Sequence, residues 1–192
     1  FSPEQIDAIG LILRRFLDQK GFILGDETGI GKGRTIAAAI TWALKNNYPV
    51  IFFTDKSTLF SDLARDLKDI GEWDRVKPLI TNADGNILDI GNDGQVLASA
   101  TPPKALTSMI EKDEPFWKYG ANIVFTTYSQ LNQENSAKGA WLARHCKNVI
   151  VVTDEAHIAA GSDSNIAENL YQITQSAAAV LYSSATWAKN AR

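Results

Sequence analysis

Residues 25–34 read Gly-Asp-Glu-Thr-Gly-Ile-Gly-Lys-Gly-Arg, with glycines at alternate positions 29, 31 and 33 and Lys32 between the last two. An apolar run, Phe22-Ile23-Leu24, precedes the segment and reads as a short buried strand. After it, Ile36, Ala39, Ile40, Ala43 and Leu44 recur at the spacing of one helix face. A strand that ends in a glycine-rich loop and restarts as a helix turns its backbone N–H groups inward and aims a helix N-terminus at whatever sits there. That is an anion site, and specifically a cradle for nucleotide phosphates. On this reading Thr28, Gly29, Ile30, Gly31, Lys32, Gly33 and Arg34 hold the phosphates. Lys32 supplies a mobile charge that reaches the β- and γ-phosphates.

The pattern usual for such loops is G-x-x-x-x-G-K-[ST], and the chain departs from it twice. Asp26 stands at the first glycine, and Gly33 stands where a hydroxyl residue ordinarily meets magnesium. Thr28 within the loop, or Thr35 just beyond it, is the candidate replacement.

The rest of the chain alternates strand and helix patterns. Ser2-Pro3-Glu4-Gln5 carries a capping residue, a proline suited to the first helical position and a glutamine able to complete a capping box. Ile6, Ile9, Leu13, Phe16 and Leu17 then form the expected inner face, and Gly21 the expected stop. Residues 50–54 read as a second buried strand, followed by a helix with Leu59, Leu63, Leu67 and Ile70 inward and Asp62, Arg65, Asp66 and Lys68 outward. Further strands are expected at 123–126, 149–153 and 180–183. Continuous apolar strands alternating with helices predict an α/β domain whose mainly parallel sheet is covered on both faces, a three-layer arrangement. Residues 76–119 break the rhythm and read as an insert, with a β-hairpin turning at Gly91-Asn92-Asp93-Gly94 and a short helix from Pro103. The whole of 1–192 reads as one domain.

A second motif complements the first. Val149-Ile150-Val151-Val152-Thr153 is an apolar strand that ends in Asp154-Glu155-Ala156-His157. In a parallel sheet the strand tips on the carboxyl side face the ligand crevice. Asp154 is the expected Mg²⁺ holder, and Glu155 the group that orients and deprotonates an attacking water. His157 is a relay residue. Ser184 and Thr186 follow another apolar strand and offer hydroxyls to this acidic pair. Gln5 lies upstream of the loop, placed either to cap its helix or to read an adenine.

Charge limits the partners. The net charge is −3, whereas a dedicated nucleic-acid-binding domain usually carries a basic surplus, because phosphate neutralisation supplies most of its affinity. Any such contact must be local. Cys146 is the single cysteine, which excludes an internal disulfide and suits a reducing compartment. No apolar run approaches the length of a membrane span, so no membrane partner is expected, and the expected location is cytoplasmic, or nuclear in a eukaryote.

Gln5, then Gly29-Ile30-Gly31-Lys32, then Asp154-Glu155-Ala156-His157, then Ser184-Ala185-Thr186 resemble, in order, the Q-type motif and motifs I, II and III of superfamily 2 helicases. More specifically, the chain resembles the strawberry notch family, in residues 25–37 with their unusual Gly33-Arg34, in 63–71 and in Phe125-Thr126-Thr127-Tyr128-Ser129. The resemblance implies a RecA-like P-loop NTPase fold, ATP and Mg²⁺ as ligands, and a DEAH-box-like helicase or translocase working on nucleic acid, DNA in the first instance. It also implies that Lys56, Ser57, Thr127 and Tyr128 touch the nucleic-acid backbone.

A motor of this type hydrolyses ATP between two RecA-like domains, the second of which supplies arginine fingers worth roughly 10³–10⁵ in rate. Only the first is expected within these residues, with its counterpart in cis or in trans, and turnover by this chain alone is expected to be weak. The alternative is a nucleotide-gated or nucleotide-free interaction module in a transcriptional or chromatin regulatory complex. Loss of all function on mutating Lys32 separates a motor from a scaffold.

Overall fold

The computed structural model describes residues 1–25, 31–161 and 164–184. Six strands form one parallel sheet: β1 (Gly21–Leu24), β2 (Val50–Thr54), β3 (Pro78–Ile80), β6 (Ile123–Thr127), β7 (Ile150–Thr153) and β8 (Ala179–Ser183), in the order β1-β8-β7-β2-β6-β3. A separate antiparallel pair, β4 (Ile87–Asp89) and β5 (Gln95–Ala98), makes the expected hairpin.

Period-two alternation divides the strand side chains between two cores. Val50, Phe52, Phe125, Ile150 and Val152 face one side. There they meet Ile12 and Phe16 of α1 (Pro3–Leu17), Ile36 and Ile40 of α2 (Lys32–Lys45), and Phe60, Leu63 and Leu67 of α3 (Leu59–Asp69). Ile51, Phe53, Val124 and Val151 face the other side. Their neighbours come from α4 (Pro103–Glu111), α5 (Ala137–Arg144), α6 (Ala156–Ala160) and α7 (Ser164–Ser176), with Trp141 fully buried among them. The central strands β2, β6 and β7 are buried throughout, as their unbroken apolar runs require. The expected α/β, RecA-like three-layer fold is therefore the observed one.

Several local expectations need correction. Residues 78–80, within the segment read as an insert, pair parallel with β6 and extend the main sheet. The hairpin beyond them packs on α3, where Leu88 N donates to Ser61 Oγ at 2.9 Å and Lys68 pairs with Asp89 at 2.5 Å. The strand before the loop is not buried: β1 is a sheet edge, and only Leu24 in it is buried. In α1 the inner face is rotated, since Ile6 and Leu17 are 59% and 69% exposed while Ile12 and Phe16 are buried. That helix stops at Leu17, before Gly21, with Gln19 taking the left-handed turn at φ 52°.

Candidate nucleotide site

The site lies where the adjacent strands β1, β8 and β7 end. β1 leads into the glycine-rich loop, of which Thr28, Gly29 and Ile30 lie outside the described residues, as does Thr186. Gly31 takes φ 75°, a left-handed conformation open to glycine at little cost, and serves as the N-cap of α2. Lys32 is thereby the first helical residue. Gln5 reaches this point from α1. It completes the predicted capping box, with Ser2 N donating to its Oε1 at 2.9 Å and its own N–H donating to Ser2 Oγ at 3.3 Å. Its Nε2 donates to the Gly31 carbonyl at 3.2 Å, so one glutamine both caps α1 and steadies the end of the loop.

Across the sheet, β7 delivers the acidic pair. Lys32 Nζ donates to Glu155 Oε1 at 2.8 Å and stands 3.1 Å from Asp154 Oδ1. Burial of the lysine pushes its pKa down. The hydrogen bond to Glu155 and the charge of Asp154 outweigh that effect and hold it above the usual lysine value. The lysine is therefore fully charged at neutral pH. Asp154 Oδ1 is sealed from solvent, with the Lys32 ammonium at 3.1 Å as its close charged neighbour. A shielded carboxylate oxygen in that condition fits a divalent cation. Glu155 is the N-cap of α6 and sits at φ 51°, ψ 42°, a left-handed conformation uncommon for a side chain of its size.

His157 extends the constellation. Its Nδ1 lies 2.8 Å from Ser184 Oγ and 3.3 Å from Glu155 Oε2. The Ser184 amide in turn donates to the Leu24 carbonyl at 3.0 Å. Lys32, Asp154, Glu155, His157 and Ser184, scattered over the chain, thus converge. Arg34 does not join them: it pairs with Asp69 at 3.3 Å on an exposed surface.

Position 33 has a close neighbour on α3. A Cβ built on Gly33 would overlap Asp66 Oδ2, so the α3 carboxylate fills the space a serine or threonine side chain would take. Asp66, expected on the outer face of α3, therefore turns toward α2. Burial raises its carboxyl pKa, against the opposing charges of Arg65 and Arg34. No periodicity in α3 announces this contact; Gly33 itself is the only trace of it. Thr35, the alternative hydroxyl, is buried with the core face of α2 and has no hydrogen bond among the described residues.

The four residues expected at a nucleic-acid backbone divide. Lys56 is exposed and Ser57 half-buried in the turn before α3. Thr127 and Tyr128 are corrected: they are 1% and 2% exposed, inside the domain rather than on its surface. Thr127 Oγ1 accepts from Asn82 Nδ2 at 2.9 Å, and the Tyr128 hydroxyl donates to the Asp154 carbonyl at 2.6 Å.

The fold and the convergence of Lys32 with Asp154 and Glu155 define a P-loop NTPase domain. The chain belongs to the family described as P-loop containing NTP hydrolase pore-1, which matches residues 4–192. It is similar to strawberry notch homolog 2 of Mus musculus, 29% identical over 191 residues that cover 90% of this chain and 12% of the mouse protein. It is also similar to strawberry notch homolog 1 of Homo sapiens, 44% identical over 55 residues, 28% of this chain and 4% of the human protein. The chain thus spans a small part of these relatives. Among solved structures, a nuclease-deletion mutant of the Type ISP restriction-modification enzyme LlaGI, in complex with a DNA substrate mimic, shares the fold. The TM-score is 0.65 at 16% identity, over 97% of this chain and 17% of that one. Among the described residues no helix is long and apolar enough to cross a membrane.

Proposed function

We propose that this domain binds ATP with Mg²⁺ and is the first motor domain of a nucleic-acid-dependent ATPase of the helicase or translocase type, completed by a second RecA-like domain. The observation that carries the reading is the contact of Lys32 Nζ with both carboxylates of the acidic pair. It supports the reading because Lys32, Asp154 and Glu155 share one small volume, as a phosphate-binding cation, a metal-facing carboxylate and a general base must.

In this reading the incoming β- and γ-phosphates take the Lys32 ammonium from Glu155. Freed of the ammonium, the Glu155 carboxylate orients a water and accepts its proton. His157, whose Nδ1 is bonded to Ser184 Oγ, lies 3.3 Å from the second Glu155 oxygen and so bounds the space in which the carboxylate can turn. Asp154 is the residue that would hold Mg²⁺, which when bound spreads the negative charge of the β- and γ-oxygens. Lys56 and Ser57, at the carboxyl end of β2, are the proposed nucleic-acid contacts of this domain. What supports DNA as the partner is the fold shared with an enzyme that was solved with a DNA substrate mimic.

The test is calorimetric titration with ADP and with a non-hydrolysable ATP analogue, with and without Mg²⁺, beside Lys32→Ala. Saturable, Mg²⁺-dependent binding lost in the variant is the expected result. A folded wild-type protein that binds neither nucleotide overturns the reading and favours an interaction module.

A further inference from the structure

Tyr128 carries no role in the reading above, yet it is bound to the acidic turn. It follows β6 and is one of the largest fully enclosed side chains. Its ring stacks on Phe53, with centroids 5.8 Å apart and planes 7° from parallel. Its hydroxyl donates to the Asp154 carbonyl at 2.6 Å. The Asp154 amide, at the other end of the same residue, donates to the Phe53 carbonyl at 2.8 Å. Asp154 is therefore pinned on both sides, once to β2 directly and once through a ring stacked on β2.

The tyrosine is itself held. Thr127 Oγ1 and Ser129 Oγ, on either side of it, lie 2.9 Å apart, and Asn82 Nδ2 donates to the same threonine oxygen at 2.9 Å. Burial raises the phenol pKa well beyond its ordinary value, so the donor proton stays on the oxygen at all ordinary pH.

The residue that needs holding is the next one. Glu155 at φ 51° departs from the conformations a glutamate prefers. Such strain persists only where the surroundings over-determine it. Because β7 fixes the chain up to Asp154, the plane of the 154–155 peptide and φ at Glu155 together set the direction in which the Glu155 side chain leaves the turn toward Lys32. The Asp154 carbonyl belongs to that peptide, and the Tyr128 hydroxyl is the group that grips it.

We infer that Tyr128 is a positioning residue: its hydroxyl, braced by Phe53, locks the Asp154–Glu155 peptide and so sets the direction of the Glu155 carboxylate. The consequence for turnover rests on the nucleotide reading proposed above; the locking itself does not.

The experiment is Tyr128→Phe in the full-length protein, which keeps the ring and its stack and removes the one hydrogen bond. Hydrogen–deuterium exchange is followed at residues 153–158, with nucleotide affinity and steady-state kinetics measured alongside. The expected result is faster exchange at those residues with the central strands unchanged, nucleotide affinity within about twofold, and kcat lowered roughly tenfold at unchanged KM. If exchange at the turn is unchanged, the inference is overturned, whether or not the protein hydrolyses ATP. If exchange rises across the whole sheet, Tyr128 is a packing residue and the inference again falls. Phe53→Leu, which leaves the hydroxyl and removes its brace, is the companion variant and is expected to loosen the same residues. A wild-type protein that binds no nucleotide would sink the functional reading, while the exchange comparison would still decide this one.

Discussion

Lys32 Nζ donates to Glu155 Oε1 at 2.8 Å, so the cation of the phosphate loop and the candidate base of the acidic turn are each other's partners. The two side chains are only 15% and 26% exposed, beyond the exposed class of ion pairs that contribute little. The contact holds the Lys32 ammonium charged and orients both side chains.

That relationship makes Glu155→Gln informative. The amide keeps the size of the side chain and loses the ability to accept a proton. Nucleotide affinity is expected to stay within about threefold, while the hydrolysis rate falls roughly 10²–10⁴-fold, the usual worth of a general base. Affinity by calorimetry and phosphate release by a coupled assay check the split. Undiminished hydrolysis would remove Glu155 from the chemistry.

Gly33 and Asp66 compete for one space. Gly33→Ser forces the Asp66 carboxylate to swing aside and is expected to destabilise the fold by about 0.5–1.5 kcal/mol, the usual cost of a side chain driven off its rotamer. In an Asp66→Ala background the same substitution is expected to cost less, giving a coupling of about 0.5–1 kcal/mol. Chemical denaturation of the four proteins measures it. Additive effects would mean that the carboxylate is not what forbids a side chain at 33.

Asp66 also predicts a pH dependence. Burial raises its carboxyl pKa in the folded protein above the ordinary 3.8, with Arg65 and Arg34 opposing. The folded state then binds the proton more tightly than the unfolded state does. The resulting stabilisation is fully present below the unfolded pKa and is lost as pH rises through the folded one. Asp66→Asn, which cannot lose a proton, should therefore gain stability relative to wild type on going from about pH 4 to about pH 7. Urea denaturation of both proteins across that range checks the sign, and the opposite trend would contradict it.

Cys146 should be inert in the native state. It is fully enclosed in the core that holds Trp141, and burial pushes its thiol up to about 12. With so little thiolate, alkylation at about pH 8 should run at least a hundredfold slower than for an exposed cysteine and should track unfolding. Mass spectrometry after iodoacetamide treatment reads this directly, and rapid labelling of folded protein would show that α5 and its neighbours open locally.

Much of the sheet could be read without coordinates, because central strands in a parallel sheet must be apolar on both faces. The runs at 50–54, 123–126 and 149–153 satisfy that condition and became β2, β6 and β7. Edge strands obey no such rule. β1 reads as buried and is largely exposed, and β3, only three residues long, gives no distinguishable signal. The hairpin was legible from its turn, since Asp93 and Gly94 take the positive φ values that such residues tolerate. Helix faces were legible where one face is long and strongly apolar, as in α2. They misled in α1, where exposed Ile6 and Leu17 share the sequence pattern with buried Phe16.

By itself the sequence determined the class of chemistry, because a glycine-flanked lysine opening a helix and two carboxylates closing an apolar strand are local patterns with local causes. It also determined the capping box of Ser2 and Gln5, whose partners lie three residues apart. Only the tertiary structure decided that Gln5 reaches the Gly31 carbonyl, that Asp66 occupies the space beside Gly33, and that Tyr128 turns inward to hold the Asp154 carbonyl. Each of those contacts joins residues more than twenty positions apart. Their geometry is set by how helices and strands dock, and no periodicity of the chain encodes it.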